Sequence, residues 1–234
     1  MSSKYWDRAW SLVDRCTPVS EACDHCWLHA MGNRFGKQWD RTPIVREDKI
    51  DLPLRIKKPT TWAVWSDLFH YCAVPEEFII KAFEVMSLAS QHTFIVLTKR
   101  PARAHYVLYE YDVRYLGGGD YIPNVWFGTT VEKGIYAGRI DLIRRCYPHN
   151  LFLSVEPMLG PLPELDLEHI KLVICGCESG PCARKTKIDW IRELRDQCLE
   201  TGVMFYLKQM EIDGKVVHLP ELDGVVYDKL PWRN

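Results

Sequence analysis

Three cysteines fall within the eleven residues CTPVSEACDHC, as Cys16, Cys23 and Cys26 in the spacing C-x6-C-x2-C, and the next cysteine is Cys72. The thiolate is the metal-binding form of cysteine, so three thiols this close together point to a bound metal group. Three thiolates on one loop hold a 4Fe-4S cluster through three of its irons and leave the fourth open to a substrate or cofactor. Zinc held by Cys16, Cys23, Cys26 and either His25 or His29 is a second use of the same residues, an ordinary Cys3His set. Cysteines that only fill space are a third. The following residues, WLHAMGNRFGKQW, carry Trp27, Leu28, Met31 and Phe35 at helical spacing and so put Cys23 and Cys26 at a helix N-terminus. The partial positive charge there favours thiolate.

Other residues able to do chemistry stand where apolar runs end. Cys16 follows WSLV, Ser66 and Asp67 close TWAVWS and its turn, and Thr98, Lys99 and Arg100 close TFIVLT. Thr129, Thr130 and Glu132 follow VWFGTT, Ser154 and Glu156 close LFLSVE, Glu178 and Ser179 follow LVICG, and Lys208 and Gln209 close VMFYLK. In a parallel barrel the C-terminal ends of the strands meet on one face, and these groups then form a polar mouth above an apolar interior. Arg100, Arg103, Arg184, Lys185 and Lys187 add positive charge beside it, suited to phosphate or carboxylate.

The elements that must position these groups alternate. Short β-rich runs at 10–13, 61–66, 93–98, 125–130, 151–156, 172–176 and 203–208 are separated by amphipathic stretches such as PEEFIIKAFEVMSLA and IDWIRELRDQCLETG, the latter closed by Gly202. Strands apolar on both faces suit a parallel sheet covered by helices. The expected fold is α/β, a complete or partial (β/α) TIM-type barrel of about six or seven parallel strands, preferred to an open doubly wound sheet. Residues 1–210 form this barrel, and 211–234 form an extension packed on it that includes a hairpin. GGGD at 117–120 reads as a loop within the domain. Cys175 reads as an inward strand residue, and Cys72, Cys146 and Cys198 read as packing. Trp62, Trp65, Trp126 and Tyr206 are either core or a stacking surface for a ligand.

With 234 residues, 47% hydrophobic and 12% aromatic, the chain has ample material for a buried core. The opening MSSKYWDRAW carries charge where a signal peptide needs an apolar run, and no window holds the apolar length of a membrane span, so the expected location is the cytoplasm. In that reducing compartment nine cysteines, an odd number, are not a disulfide framework. A net charge of −1 argues against a protein that coats nucleic acid indiscriminately.

The ordered motifs CTPVSEACDHCW, SDLFH, HTFIVLTKRPAR, NVWFGTTVE, LSVEPMLGP, CESGPCAR, DWIRELRDQC, YLKQM and ELDGVVYDKLPW span nearly the whole chain. In them the sequence resembles a phage-associated, radical-SAM-like family of proteins of unknown function. The resemblance implies a barrel of the radical S-adenosylmethionine (SAM) kind whose three-cysteine loop binds a 4Fe-4S cluster, with SAM on the open iron and an external electron donor. The loop departs from the usual C-x3-C-x2-C by three residues, and His25 takes the place usually held by an aromatic residue against the adenine. On this likeness Ser66 and Asp67 are expected to bind the amino group of SAM, Lys99 its carboxylate, and Ser154 or Glu156 its ribose. Glu178 and Lys208 are expected to act on the substrate, with Arg100, Arg184 and Gln209 helping to hold it. The implied location is the host cytoplasm. The favoured reaction is rearrangement of a modified, thymine-type base in phage DNA, with a free nucleotide or a peptide as the other substrates left open. A non-catalytic, metal-stabilised nucleic-acid-binding module is the alternative, and a zinc hydrolase is disfavoured by the want of a His-rich set.

Overall fold

The computed structural model of the protein describes residues 4–26, 28, 42–71, 73–111, 121–147, 149–180 and 182–233. The helix expected over 27–39 apart from Leu28, the candidate ligand His29, Cys72 and the loop 117–120 lie outside the described residues.

In chain order the strands are β1 (Arg8–Ala9), β2 (Val13–Asp14), β3 (Ile44–Val45), β4 (Thr61–Val64), β5 (Thr93–Thr98) and β6 (Val125–Thr130). They continue with β7 (Asn150–Val155), β8 (Ile170–Gly176), β9 (Met204–Ile212), β10 (Lys215–His218), β11 (Glu221–Leu222) and β12 (Val225–Val226). The helices are α1 (Glu76–Leu88), α2 (Pro101–Glu110), α3 (Arg139–Cys146) and α4 (Ile188–Glu200). One eight-stranded sheet runs β1-β4-β5-β6-β7-β8-β9-β10, parallel at every step until the last, antiparallel pair. Within the sheet each strand lies beside the next in sequence, so the chain winds in one direction without the reversal of a doubly wound sheet. Helices then cover a single face and the sheet curls into a half-barrel. The expected parallel α/β sheet is present, in the partial form.

Side chains alternate between the two faces, as strand geometry requires. Phe94, Val96, Phe127, Leu153, Val173 and Phe205 point to the helices and pack with Ile79, Phe83, Val107, Ile143 and Leu194. Ile95, Trp126, Phe152, Leu172, Ile174 and Tyr206 form a second cluster on the concave face, without any helix residue. Gly128 belongs to that concave face: a Cβ there would lie 2.5 Å from the Phe152 ring, so the absence of a side chain lets Phe152 fill the bottom of the half-barrel. Cys175 is fully buried in the helix-side layer with Cys198, not in the concave interior, because its register alternates with that of Ile174 and Gly176.

The first strand differs from the expected 10–13. The sheet takes Arg8 and Ala9, paired with Trp62 and Ala63, and the last parallel bond is from Trp10 N to Ala63 O at 2.8 Å. Trp10 and Leu12 are fully buried against the helix-side core, with Trp10 Nε1 donating to Lys49 O, so their apolar character reflects burial and not strand pairing. Val13 pairs in the small antiparallel β2–β3 ribbon instead.

At the other end β9 runs through residue 210 to Ile212 and turns into β10 at Asp213 (φ 50°) and Gly214 (φ 74°), two left-handed residues that suit a tight hairpin. The remaining tail returns to the concave face, where Leu230 is buried and Trp232 meets Trp126 edge-on at 4.9 Å. Trp232 Nε1 donates to Tyr5 O at 3.0 Å, and Arg233 donates to Lys4 O at 2.8 Å, so the tail holds the N-terminal segment in place. Among the described residues no helix is long and apolar enough to cross a membrane.

Candidate functional site

The C-terminal ends of the parallel strands surround a cavity of about 600 Å³. Cys16, Cys23 and Cys26 line it from a loop that includes one 3-10 turn, Glu21–Cys23, and all three are free and partly exposed. Ser66, Asp67, Lys99, Arg100, Ser154 and Glu156 line it as well, as do His25, Glu178, Lys208 and Gln209. The structure therefore gathers the strand ends with the cysteine loop, as expected for a parallel mouth. Arg184 stands beside this set and reaches it through Glu178. Arg103 does not: it pairs with Glu76 of α1, under Tyr71 and Tyr106. Lys187 lies over Trp190 of α4.

The charged strand ends pair across the mouth. Ser66 (φ 67°) and Asp67 (φ 47°) are consecutive left-handed residues after β4, an uncommon backbone for residues with side chains. The Asp67 carboxylate accepts from Thr98 Oγ1 at 2.6 Å, Phe69 N at 3.2 Å, Lys99 N at 3.2 Å and Arg100 at 2.7 Å. Arg100 also donates to Thr17 O at 3.0 Å, Thr17 Oγ1 at 2.9 Å and the Cys16 sulfur at 3.5 Å. Lys99, next in sequence to Arg100, reaches the other way: its ammonium contacts Glu132, which is completely buried after β6, and lies 3.3 Å from Ser20 Oγ. Glu132 further accepts from Ser20 Oγ and, at 2.8 Å, from Arg139. Glu178, after β8, accepts from Arg184 through its backbone N at 2.7 Å and its guanidinium, and lies 3.1 Å from His25 Nδ1.

These neighbours set the thiol chemistry. Burial pushes the Cys23 thiol up, but the Lys99 ammonium and donors from Val19 and Ser20 together leave it below its ordinary value. Burial, then the Asp67 charge, raises Cys16 against the opposing pull of Arg100. Burial alone raises Cys198 to about 12, and burial is the chief cause of the rise of Cys177 to about 11, as fits packing residues.

Burial also opposes ionisation of Glu178, yet the Arg184 and His25 hydrogen bonds hold its carboxyl at about 2, against an ordinary 4.5. A depressed folded-state pKa contributes stability that is complete above 4.5 and is lost as pH falls toward 2. The stability difference between the wild type and Glu178→Gln is therefore expected to shrink when urea midpoints are compared at about pH 6 and about pH 3. A difference that grows on acidification would contradict the ion pair.

The opposite wall has another character. Glu156 accepts from Tyr5 OH at 3.0 Å and Ser154 Oγ at 3.3 Å, and pairs with Lys208 at 2.6 Å. Gly176 of β8 packs against this wall: a Cβ there would sit 3.4 Å from both Glu156 and Gln209, an ordinary van der Waals contact. The Lys208 ammonium lies 5.7 Å from the Tyr5 ring and 5.9 Å from Trp6, and Trp6 meets Trp65 at 5.2 Å. Gln209 is turned aside, donating to Cys177 O at 2.9 Å. Of the four aromatics at strand positions only Trp65 lines the cavity; Trp62 is in the helix-side core, and Trp126 and Tyr206 fill the concave floor.

Tyr5, Trp6, Ser20 and Arg139 are site residues that strand-end reasoning missed. Tyr5 and Trp6 precede β1 and line the cavity from a segment that the C-terminal tail holds, whereas the pairing of Glu132 with Ser20 joins residues 112 apart. Among the described residues no three Cys, His, Asp or Glu side chains are gathered tightly enough to hold one metal ion. Three half-buried thiols that line one cavity, one of them biased toward thiolate, are of the chemical type that holds a 4Fe-4S cluster.

No curated protein and no solved structure matches the chain. A family profile matches residues 2–231, nearly the full length, and the protein belongs to that family, which is described as a protein of unknown function (DUF5131).

Proposed function

We propose that this protein is an enzyme of the radical SAM kind. The observation that carries the reading is the opening of the three-cysteine loop onto one cavity with a charged and aromatic wall, at the C-terminal mouth of a parallel half-barrel. Cys16, Cys23 and Cys26 are the residues to hold a 4Fe-4S cluster, and the cluster, when bound, supplies the electron that cleaves SAM and initiates hydrogen abstraction. His25, Ser66, Lys99 and Ser154 line the cavity where SAM is to sit.

Substrate falls to the opposite wall. Lys208 donates and Glu156 accepts, side by side, while Trp6 and Trp65 offer ring edges and faces for a planar group. A nucleotide or a modified, thymine-type base of phage DNA meets these requirements, with rearrangement as the reaction and an external electron donor. A base in duplex DNA has to be flipped out to reach this recess. A non-catalytic nucleic-acid-binding module has no use for such a converging set of charged strand ends beside the cysteine loop.

The test is SAM cleavage. Anaerobic, reduced protein with a verified cluster is expected to form 5'-deoxyadenosine from SAM, slowly without substrate, and to lose substrate turnover but not this background in Lys208→Met. Failure to form deoxyadenosine under strong reduction overturns the reading.

A further inference from the structure

The charged strand ends divide into two sets according to whether they touch the cysteine loop. Glu156 and Lys208 pair with each other and with Tyr5 and Ser154. The others meet the loop at three places along its length. Arg100, carried by Asp67, grips Thr17. Glu132, with Lys99, takes the Ser20 hydroxyl. Glu178 meets His25, and its partner Arg184 donates to Glu21 O at 3.0 Å. From this we infer that Asp67, Glu132 and Glu178 are positioning residues that clamp the three-cysteine loop to alternate strands of the half-barrel, and that they do not bind the ligand.

Two physical points support the division. An ionised carboxylate offers about four acceptor sites. Asp67 receives four protein donors, through Thr98, Phe69, Lys99 and Arg100, which leaves none for the amino group of a cofactor. Glu178 receives three donors from Arg184 and meets His25. The second point is cost: side chains only 7%, 0% and 5% exposed for Asp67, Glu132 and Glu178 stay charged only beside matched partners. Each carboxylate has at least one such partner, and each set reaches the loop through a second contact. β5 serves two of them, because Lys99 and Arg100 diverge to the strands on either side.

Three thiols capture a metal group more tightly when the loop that bears them is already ordered, because binding then need not offset the loss of chain entropy. Outer contacts that orient metal ligands commonly change affinity by about 10–100-fold. The clamp concerns the loop itself and rests on the radical SAM reading only for what the loop holds.

The test uses the full chain without metal. Glu132→Gln, Asp67→Asn and Glu178→Gln are compared with Lys208→Met, which lies outside the clamp. Ser20→Ala removes the loop's side of the Glu132 contact, and Thr17→Val removes one of the loop's acceptors for Arg100 while its backbone O remains; both leave the buried charges in place, in case the carboxylate variants fail to fold. Amide exchange across 16–26 and alkylation of Cys16, Cys23 and Cys26 by iodoacetamide are followed by mass spectrometry. Amide exchange, and alkylation of Cys26, are expected to rise about tenfold in the clamp variants, with β5 to β8 unchanged and Lys208→Met like the wild type; Cys16 and Cys23 are followed separately because Asp67 and Ser20 also act on their thiols directly. After reconstitution, iron should be lost to a chelator about 10–100-fold faster. Wild-type loop rates in Ser20→Ala and Thr17→Val, or exchange that rises equally through the sheet, overturn the clamp. If the wild type takes up no iron but the loop still loosens as described, the radical SAM reading fails and the clamp stands.

Discussion

Replacing Cys16, Cys23 or Cys26 with alanine is expected to abolish iron–sulfur binding, while Cys146→Ala, Cys175→Ala and Cys198→Ala retain it. Wild-type protein reconstituted anaerobically with iron and sulfide should be brown and hold about four irons per chain. Each loop thiol is to bind one iron, whereas Cys177, the other cysteine among the described residues that line the cavity, is buried and its thiol is raised to about 11, chiefly by that burial. Cys146, Cys175 and Cys198 are buried in the helix-side core, where a thiol behaves as a small apolar group. Iron analysis with absorption and electron paramagnetic resonance spectra decides the matter. Stoichiometric zinc without iron, after reconstitution under those conditions, would move the loop to the Cys3His reading.

The second large effect is one of stability and concerns the concave face of the half-barrel. Gly128→Val is expected to destabilise the fold by about 1–3 kcal/mol, the usual cost of forcing extra carbon into a filled core. The new Cβ meets three atoms of the Phe152 ring at 2.5–2.6 Å, and Phe152 is completely buried against its concave neighbours, so neither group has room to yield. The melting temperature should fall by about 2–4 °C for each kcal/mol in a chain of this size. Phe152→Leu on its own should also destabilise, by leaving a void, but in combination with Gly128→Val it should recover part of the loss. Strict additivity of the two changes in thermal melts would show that the glycine is not there to admit the ring.

By itself the sequence determined the alternation of strands and helices, because β-rich runs such as TFIVLT and VWFGTT and amphipathic helices such as α1 and α4 are written in local spacing. Those runs are β5 and β6 nearly residue for residue. The parallel mouth followed from the same pattern, since parallel strands must present their C-terminal ends together, and with it came the gathering of Cys16, Asp67, Lys99, Glu178 and Lys208 around one cavity. The fold boundary at the start was less legible: Trp10, Leu12 and Val13 look like a strand because they are apolar, but burial and pairing are different demands, and β1 takes the less apolar Arg8 and Ala9.

What only the tertiary structure decided is which charges answer one another. A lysine beside an arginine in TKRP gives no sign that Lys99 turns to Glu132 and Arg100 to Asp67; that depends on the register of β4, β5 and β6, which sets what lies opposite each strand end. The same is true of Tyr5 and Trp6, which reach the cavity from before β1 because Trp232 and Arg233, more than 220 residues later, bind the backbone of that segment. Local spacing records the period of an element and the type of group at its end. Contacts between groups remote in sequence depend on how the sheet curls, and it is these contacts that separate the residues gripping the cysteine loop from those left to face a ligand.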